Sequence, residues 1–162
     1  MIVRRLRPGE AVPLRDLRLR SLREAPDAFA TTYAQASAWP PEHWEQWAAA
    51  PEEEQVTVLA IDGERWVGMA SGWLLELKPH SAWLARLWVD PAHRGAGVGL
   101  RLVDAIAEWA RERGKATLEL SVTANNEAAS AFYERAGFEP TGRRRPLPAD
   151  PSRTEVFLSR PL

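Results

Sequence analysis

Apolar positions along the chain alternate in short runs and recur at helical spacing in longer ones, and the two periods mark out its elements. Residues 2–6 alternate as a short strand, and over residues 13–24 Leu14, Leu17 and Leu22 fall between arginines, as in an amphipathic helix that Pro26 ends. Pro40 and Pro41 open a second helix over residues 42–50, with Trp44 and Trp47 three apart on one face. Residues 56–61 predict a strand, and Asp62-Gly63 a hairpin that returns the chain antiparallel over residues 65–75. After the turn region 76–81, residues 82–89 complete a three-stranded meander. Val98, Leu102, Ala105, Ile106 and Trp109 have helical period, and Gly114 lies where a left-handed C-cap belongs. Residues 116–122 predict a buried strand and residues 127–136 a helix ending before Gly137. Two strands follow, around residues 138–145 and 154–159, with the proline-rich PLPADPS as the loop between them. The predicted order is β-α-α-β-β-β-α-β-α-β-β, without repeats, linkers or low-complexity tracts.

Length and composition narrow the class. At 162 residues the chain has the size of a single domain spanning residues 1–162. No apolar run is long enough for a bilayer and MIVRRLRPGE lacks the apolar core of a secretory signal, so the expected location is cytoplasmic, without membrane association. The absence of cysteine removes disulfides, thiol nucleophiles and thiolate metal sites. His43, His80 and His93 show no ligand spacing, so no metal is expected. A net charge of −1 gives no footprint for nucleic acid, and the arginines at 4, 5, 7 and 143–145 read as solvated surface.

Chemistry enters at VDPAHRGAGVGLRL, residues 89–102, where Gly95, Gly97 and Gly99 stand at every second position between a strand and a helix. Such glycines uncover backbone amides at a helix N-terminus, where orphan donors and the helix dipole favour phosphate. A Walker loop requires Gly-Lys-Ser/Thr, whereas Leu100 and Arg101 follow Gly99. A dinucleotide fingerprint requires a third glycine where Leu100 or Leu102 stands, and a βαβ unit where the meander lies. Glu119, twenty residues past Gly99, sits mid-strand and not at a strand end, where a ribose ligand belongs.

The run RGAGVG, Arg94 to Gly99, instead resembles the [Q/R]-x-x-G-x-[G/A] signature of the GNAT superfamily of N-acetyltransferases, and it follows LARLWVDP as that family's fourth strand and turn do. A second signature is similar to NNEAASAFYERAGF, in which Asn126, Ala129, Phe132, Tyr133, Gly137 and Phe138 take the matching positions. Two signatures in order, separated by a helix and a strand, extend the resemblance from the first strand to the C-terminus. It implies a single-domain α/β (α+β) acyl-CoA N-acyltransferase fold. This is a mixed, mostly antiparallel sheet of about seven strands, splayed between the fourth and fifth and flanked by about four helices. It also implies acetyl-CoA as cosubstrate. The amides of Arg94, Gly95, Ala96, Gly97, Val98 and Gly99 would hold the pyrophosphate, and the backbone of Leu87, Trp88 and Val89 would pair with the pantetheine arm. Asn126 would bind the pantetheine side, or cap the following helix, or do both. Tyr133 would be the general acid for the departing thiolate. Some relatives carry a glutamate base where Trp83 stands here, which leaves Glu119, Glu76, His80 and Asp27 as candidates.

The resemblance further implies an amine acceptor, small molecule or peptide, attacking directly in a ternary complex, and allows a homodimer. The alternative is a non-catalytic acyl-CoA-binding module on the same fold. Acceptor choice is expected near the N-terminal helices, where Phe29, Tyr33, Trp39, Trp44 and Trp47 offer either core packing or π faces for an aromatic or cationic amine. The acidic run Glu52 to Glu54 would attract a cation or simply face solvent.

Overall fold

Strand β2 (Gln55–Asp62) is apolar on both faces because both are covered, and it organises the molecule. Its period of two sends Val56, Val58 and Ala60 into one hydrophobic cluster and Leu59 and Ile61 into another on the opposite side of the sheet. The computed structural model describes all residues, 1–162. Its seven-stranded sheet has the order β1-β2-β3-β4-β5-β7-β6, with β1 (Ile2–Arg5), β3 (Arg65–Leu74), β4 (Ser81–Val89), β5 (Thr117–Thr123), β6 (Glu139–Leu147) and β7 (Asp150–Pro161). All neighbours are antiparallel except β4 and β5.

The first face carries α4 (Val98–Glu112), whose Val98, Leu102, Val103, Ile106 and Trp109 are buried against β2, β3 and β4. Two glycines of β3 let this helix settle close. A Cβ at Gly72 would lie 2.9 Å from Ile106 Cγ2, and one at Gly68 would lie 3.1 Å from Leu102 Cδ1. The second face carries α1 (Ala11–Glu24), α2 (Tyr33–Ser37) and α3 (Pro41–Ala48), which bury Leu14, Leu17, Leu22, Ala36, Trp44 and Trp47 over Leu59, Met69 and Trp88. Each large apolar side chain buried in this way contributes about 1.5–3 kcal/mol. A fifth helix, α5 (Glu127–Arg135), lies between β5 and β6. No helix is long and apolar enough to cross a membrane.

The structure differs from the sequence expectation in three places. There are five helices where about four are expected: Thr32 and Gln35 form a reciprocal capping box that starts α2, a helix too short for periodicity to reveal. The proline-rich segment is no long loop, because β6 and β7 extend through it to a tight turn and pair down to Leu147↔Asp150. The β2–β3 turn is centred on Gly63 and Glu64, since Asp62 pairs with Arg65, and only Gly63 takes positive φ, +62°. That is the II′ arrangement, in which glycine is needed at the first central position alone.

Candidate active site

The parallel pair β4 and β5 is joined only over Ser81↔Thr117, Ala82↔Leu118 and Trp83↔Glu119. Beyond these residues the strands diverge around a cleft of about 510 Å³. Its walls are β4 residues 83–87, β5 residues 121–123, Asn126, Ala129 and Tyr133 from α5, the segment 26–32 after α1, Arg18, and the end of the β6–β7 hairpin. At the mouth of the cleft β4 carries a bulge. Met69 pairs with Trp88 and Ser71 with Ala85, so Arg86 and Leu87 together oppose Ala70. Arg86 has φ 56°, and no other non-glycine residue has positive φ. The bulge re-aims the strand end: Leu87 and Val89 pack with the α4 cluster, while Trp88 is buried with the α1–α3 cluster and donates its indole N–H to Glu24 at 2.8 Å.

The glycine loop follows directly. Asp90 opens it by accepting from the Ala92 amide at 3.0 Å and from Arg65 at 3.0 Å. Burial works to raise the Asp90 carboxyl, but the Ala92 amide and the arginines at 65 and 20 hold it below the usual carboxylate range. Arg94 is similarly tied, its guanidinium donating to the Val89 carbonyl at 3.0 Å and to Glu24 at 2.8 Å. Past these two anchors, none of the amides of residues 95–100 donates a hydrogen bond within the protein, and no side chain caps α4. The three glycines meet two different needs. Gly95 and Gly97 both have φ +80° with open space where a Cβ would lie, whereas a Cβ at Gly99 would stand 3.1 Å from the Phe132 ring. Protein packing therefore explains only the third glycine, and the first two keep a row of donors bare toward solvent.

Asn126 caps α5, accepting from the Ala129 amide at 3.2 Å, and also lines the cleft. Tyr133 lies one turn from that cap's helical partner, edge-on to Phe132 and Phe138 at centroid distances of 5.2 and 5.6 Å. This apolar seat raises its phenol above the ordinary tyrosine value, with burial as the sole cause. Leu87, Asn126 and Tyr133 are thus brought together at the cleft, whereas Trp88, Val89 and the loop residues 94–99, which lead from β4 into α4, are not among the residues that line it.

The structure separates the candidate bases. Glu76 and His80 are exposed on the β3–β4 connection and do not line the cleft. Glu119 is buried, with one oxygen on Lys78 at 2.8 Å and Oε2 without a partner, and also lies outside the lining. Asp27 does line it. Sequence reasoning missed Glu155, a buried carboxylate in the cleft wall that Arg145 engages. Its signal was its place in β7, among alternating residues whose neighbours Phe157 and Leu158 are buried. Of the expected acceptor aromatics only Phe29 lines the cleft. Trp44 and Trp47 stack at 5.7 Å within the core, and the Trp47 indole donates to Thr57. The π face of Trp47 is already occupied by Arg86, 4.1 Å from its centroid. Glu52 is likewise engaged, by Arg5 at 2.6 Å, and its carbonyl accepts from Trp109 and Arg113, so it anchors the C-terminal end of α4.

Solved structures with this fold superpose over nearly the whole chain. An acetyltransferase of Streptococcus pneumoniae aligns with a TM-score of 0.82 at 21% identity, over 99% of this chain and 98% of its own. An acetyltransferase of Salmonella typhimurium, solved with its cofactor acetyl-CoA, aligns at 0.80 and 17% identity, over 100% and 94%. In sequence, the [ribosomal protein bS18]-alanine N-acetyltransferase of Escherichia coli is 33% identical over 125 residues, 72% of this chain and 84% of that protein. The mycothiol acetyltransferase of Beutenbergia cavernae is 31% identical over 130 residues, 69% of this chain and 44% of that protein, so the chain spans less than half of that relative's length. The acetyltransferase (GNAT) family model matches residues 18–138, and the chain belongs to that family.

Proposed function

We propose that this chain is an acetyl-CoA-dependent N-acetyltransferase that passes the acetyl group to a primary amine by direct attack within a ternary complex. One observation carries the reading: six consecutive main-chain amides, residues 95–100, have no partner in the protein and meet the N-terminus of α4 beside the splayed strands. Backbone donors in that setting suit a pyrophosphate. Gly95, Ala96, Gly97, Val98 and Gly99 supply them, and Arg94 acts as the strut that fixes the loop to Val89 and Glu24. The backbone of Leu87, Trp88 and Val89 offers the pantetheine arm an edge to join as an added strand, with Asn126 facing it from α5.

In the transfer step the neutral amine attacks the acetyl carbon, the carbon–sulfur bond breaks, and the amine nitrogen sheds its proton to solvent. Tyr133 lines the cleft with no protein group on its hydroxyl, and its raised pKa keeps the proton in place to be given to the sulfur. A main-chain amide of β4 at the bulge is the donor this reading assigns to the carbonyl oxygen as charge develops on it. Homologous enzymes modify peptide or small-molecule amines, as the bS18-alanine and mycothiol enzymes do by name.

The test pairs calorimetric titration of coenzyme A with thiol release from acetyl-CoA across polyamines, aminoglycosides, amino acids and peptide N-termini. Binding together with amine-dependent thiol release is the expected result. Binding without release to any amine makes the chain a coenzyme A-binding module, and no binding overturns the reading entirely.

A further inference from the structure

Two guanidiniums in the cleft wall, Arg18 and Arg86, have no carboxylate paired with them. Arg18 on α1 is 3% exposed, lines the cleft, and leaves Nε and Nη1 without a hydrogen-bond partner. Arg86, at the β4 bulge, sits 4.1 Å from the Trp47 centroid and 5.3 Å from that of Trp73, and no carboxylate stands within ion-pair reach of it. Three carboxylates, Asp27, Asp150 and Glu155, share the cleft wall, and none of them pairs with Arg18 or Arg86. Glu155 holds Arg145, Asp150 accepts from Ser152 at 2.6 Å, and Asp27 lies on the exposed turn after α1. Burial, then the like charge of Arg86, push Arg18 down to about 9, and burial pushes Arg86 down to about 10. His43, on α3, is lowered by burial and by the same arginine, so the excess is felt across the α1–α3 layer. A buried guanidinium without a hydrogen-bond partner is costly to the fold, and a bound anion would offset that cost.

We propose that Arg18 and Arg86 form an anion subsite for the acetyl acceptor, so that the acceptor carries a carboxylate together with the amine it presents, as an amino acid does. The planar guanidinium forks match a carboxylate in geometry and would share one charge between two cations that now repel. Phosphates of the coenzyme are not this anion. The bare loop amides lie at the N-terminus of α4, whereas both arginines belong to the opposite face of the sheet, Arg18 beside Phe29 and Arg86 on Trp47. The inference rests on the acetyltransferase reading above, and of the two uses open to the aromatic cluster it leaves core packing.

Thiol release from acetyl-CoA is measured with the twenty L-amino acids, each beside its carboxamide, for the wild-type chain and for Arg18→Gln and Arg86→Gln. The preferred amino acid is expected to show a KM about tenfold or more below that of its amide, and each substitution to raise that KM about tenfold and erase the preference. The calorimetric Kd for coenzyme A should stay within about twofold in both variants, since the sheet face is different. Amides used as well as acids, or a preference that survives both substitutions, overturns the subsite. A separate measurement needs no catalysis: Arg18→Met removes a buried, unpaired charge at similar length and should raise the Tm of the free protein, whereas a lower Tm shows that the chain itself satisfies Arg18 and overturns the subsite. Failure of coenzyme A to bind overturns the acetyltransferase reading instead, and Arg18→Met still decides between the two outcomes for the subsite.

Discussion

Tyr133 suits the proton donation proposed for it because nothing in the protein competes for its hydroxyl and its apolar surroundings oppose ionisation. With its pKa raised above the reference of about 10, the phenol stays protonated through the neutral and mildly alkaline range, so tyrosine ionisation imposes no falling limb on kcat there. Tyr133→Phe is expected to lower kcat by about 10²-fold or more, the usual scale for a positioned acid, while leaving coenzyme A affinity within a few-fold. Steady-state kinetics with parallel calorimetry separates the two effects, and an unchanged kcat removes Tyr133 from its role. Such residues were legible in the sequence because their chemistry and spacing travel together, as in Asn126, Tyr133 and Gly137. Arg86 and Arg18 were not. One depends on a bulge with φ 56° and the other sits on a helix where arginine reads as a polar face, so their burial emerges only once α1 and β4 pack.

The glycine loop works as an element because both its ends are fixed while its middle is bare. Asp90 ties the entry to the Ala92 amide and Arg65, and Glu24 at the end of α1 holds both Arg94 and Trp88. Asp90→Ala is expected to cost about 1 kcal/mol, as for loss of a turn-capping side chain, and to weaken coenzyme A binding by slackening the loop. The pH dependence follows from the direction of the shift. The folded state holds this carboxyl below its unfolded value, so its contribution is complete above an unfolded pKa of about 3.9 and fades as pH falls through the folded value. Urea midpoints of wild type and Asp90→Ala should therefore differ at pH 7 and the gap should begin to narrow as pH falls below the unfolded carboxyl value; a gap unchanged in acid would show that the ionised form is not what matters. At this scale the sequence was most readable where a period ran long enough. The meander, α4 and the Gly114 cap, φ +72°, fell where the pattern put them. Three-turn helices and strands of seven residues repeat a pattern often enough to be seen, whereas the five residues of α2 do not.

At the scale of the whole molecule, the two layers divide the labour: α4 and α5 frame the bare amides and Tyr133, while α1, α2 and α3 carry the arginines on the other face. Between them the sheet is continuous on either side of one weak seam, three paired residues long. The parallel strands are unpaired beyond Trp83, and the opening there was foreseen only through the resemblance to a family, whereas the element order could be read from periodicity itself. Periodicity reports which face of a strand is buried and is silent on where two neighbours part company. A ligand that lies along the seam and caps the loop binds the folded chain alone, so it must stabilise by mass action. At a concentration about 100 times its Kd, coenzyme A is expected to contribute about 2.7 kcal/mol. For a chain of this length each kilocalorie moves the midpoint by about 2–4 °C, so thermal unfolding should shift upward by about 5–10 °C. The shift should grow with the logarithm of ligand concentration and shrink in Asp90→Ala, whose loop is slack. A saturating dose that leaves Tm unmoved would mean that the amides of residues 95–100 and the seam do not act as one site.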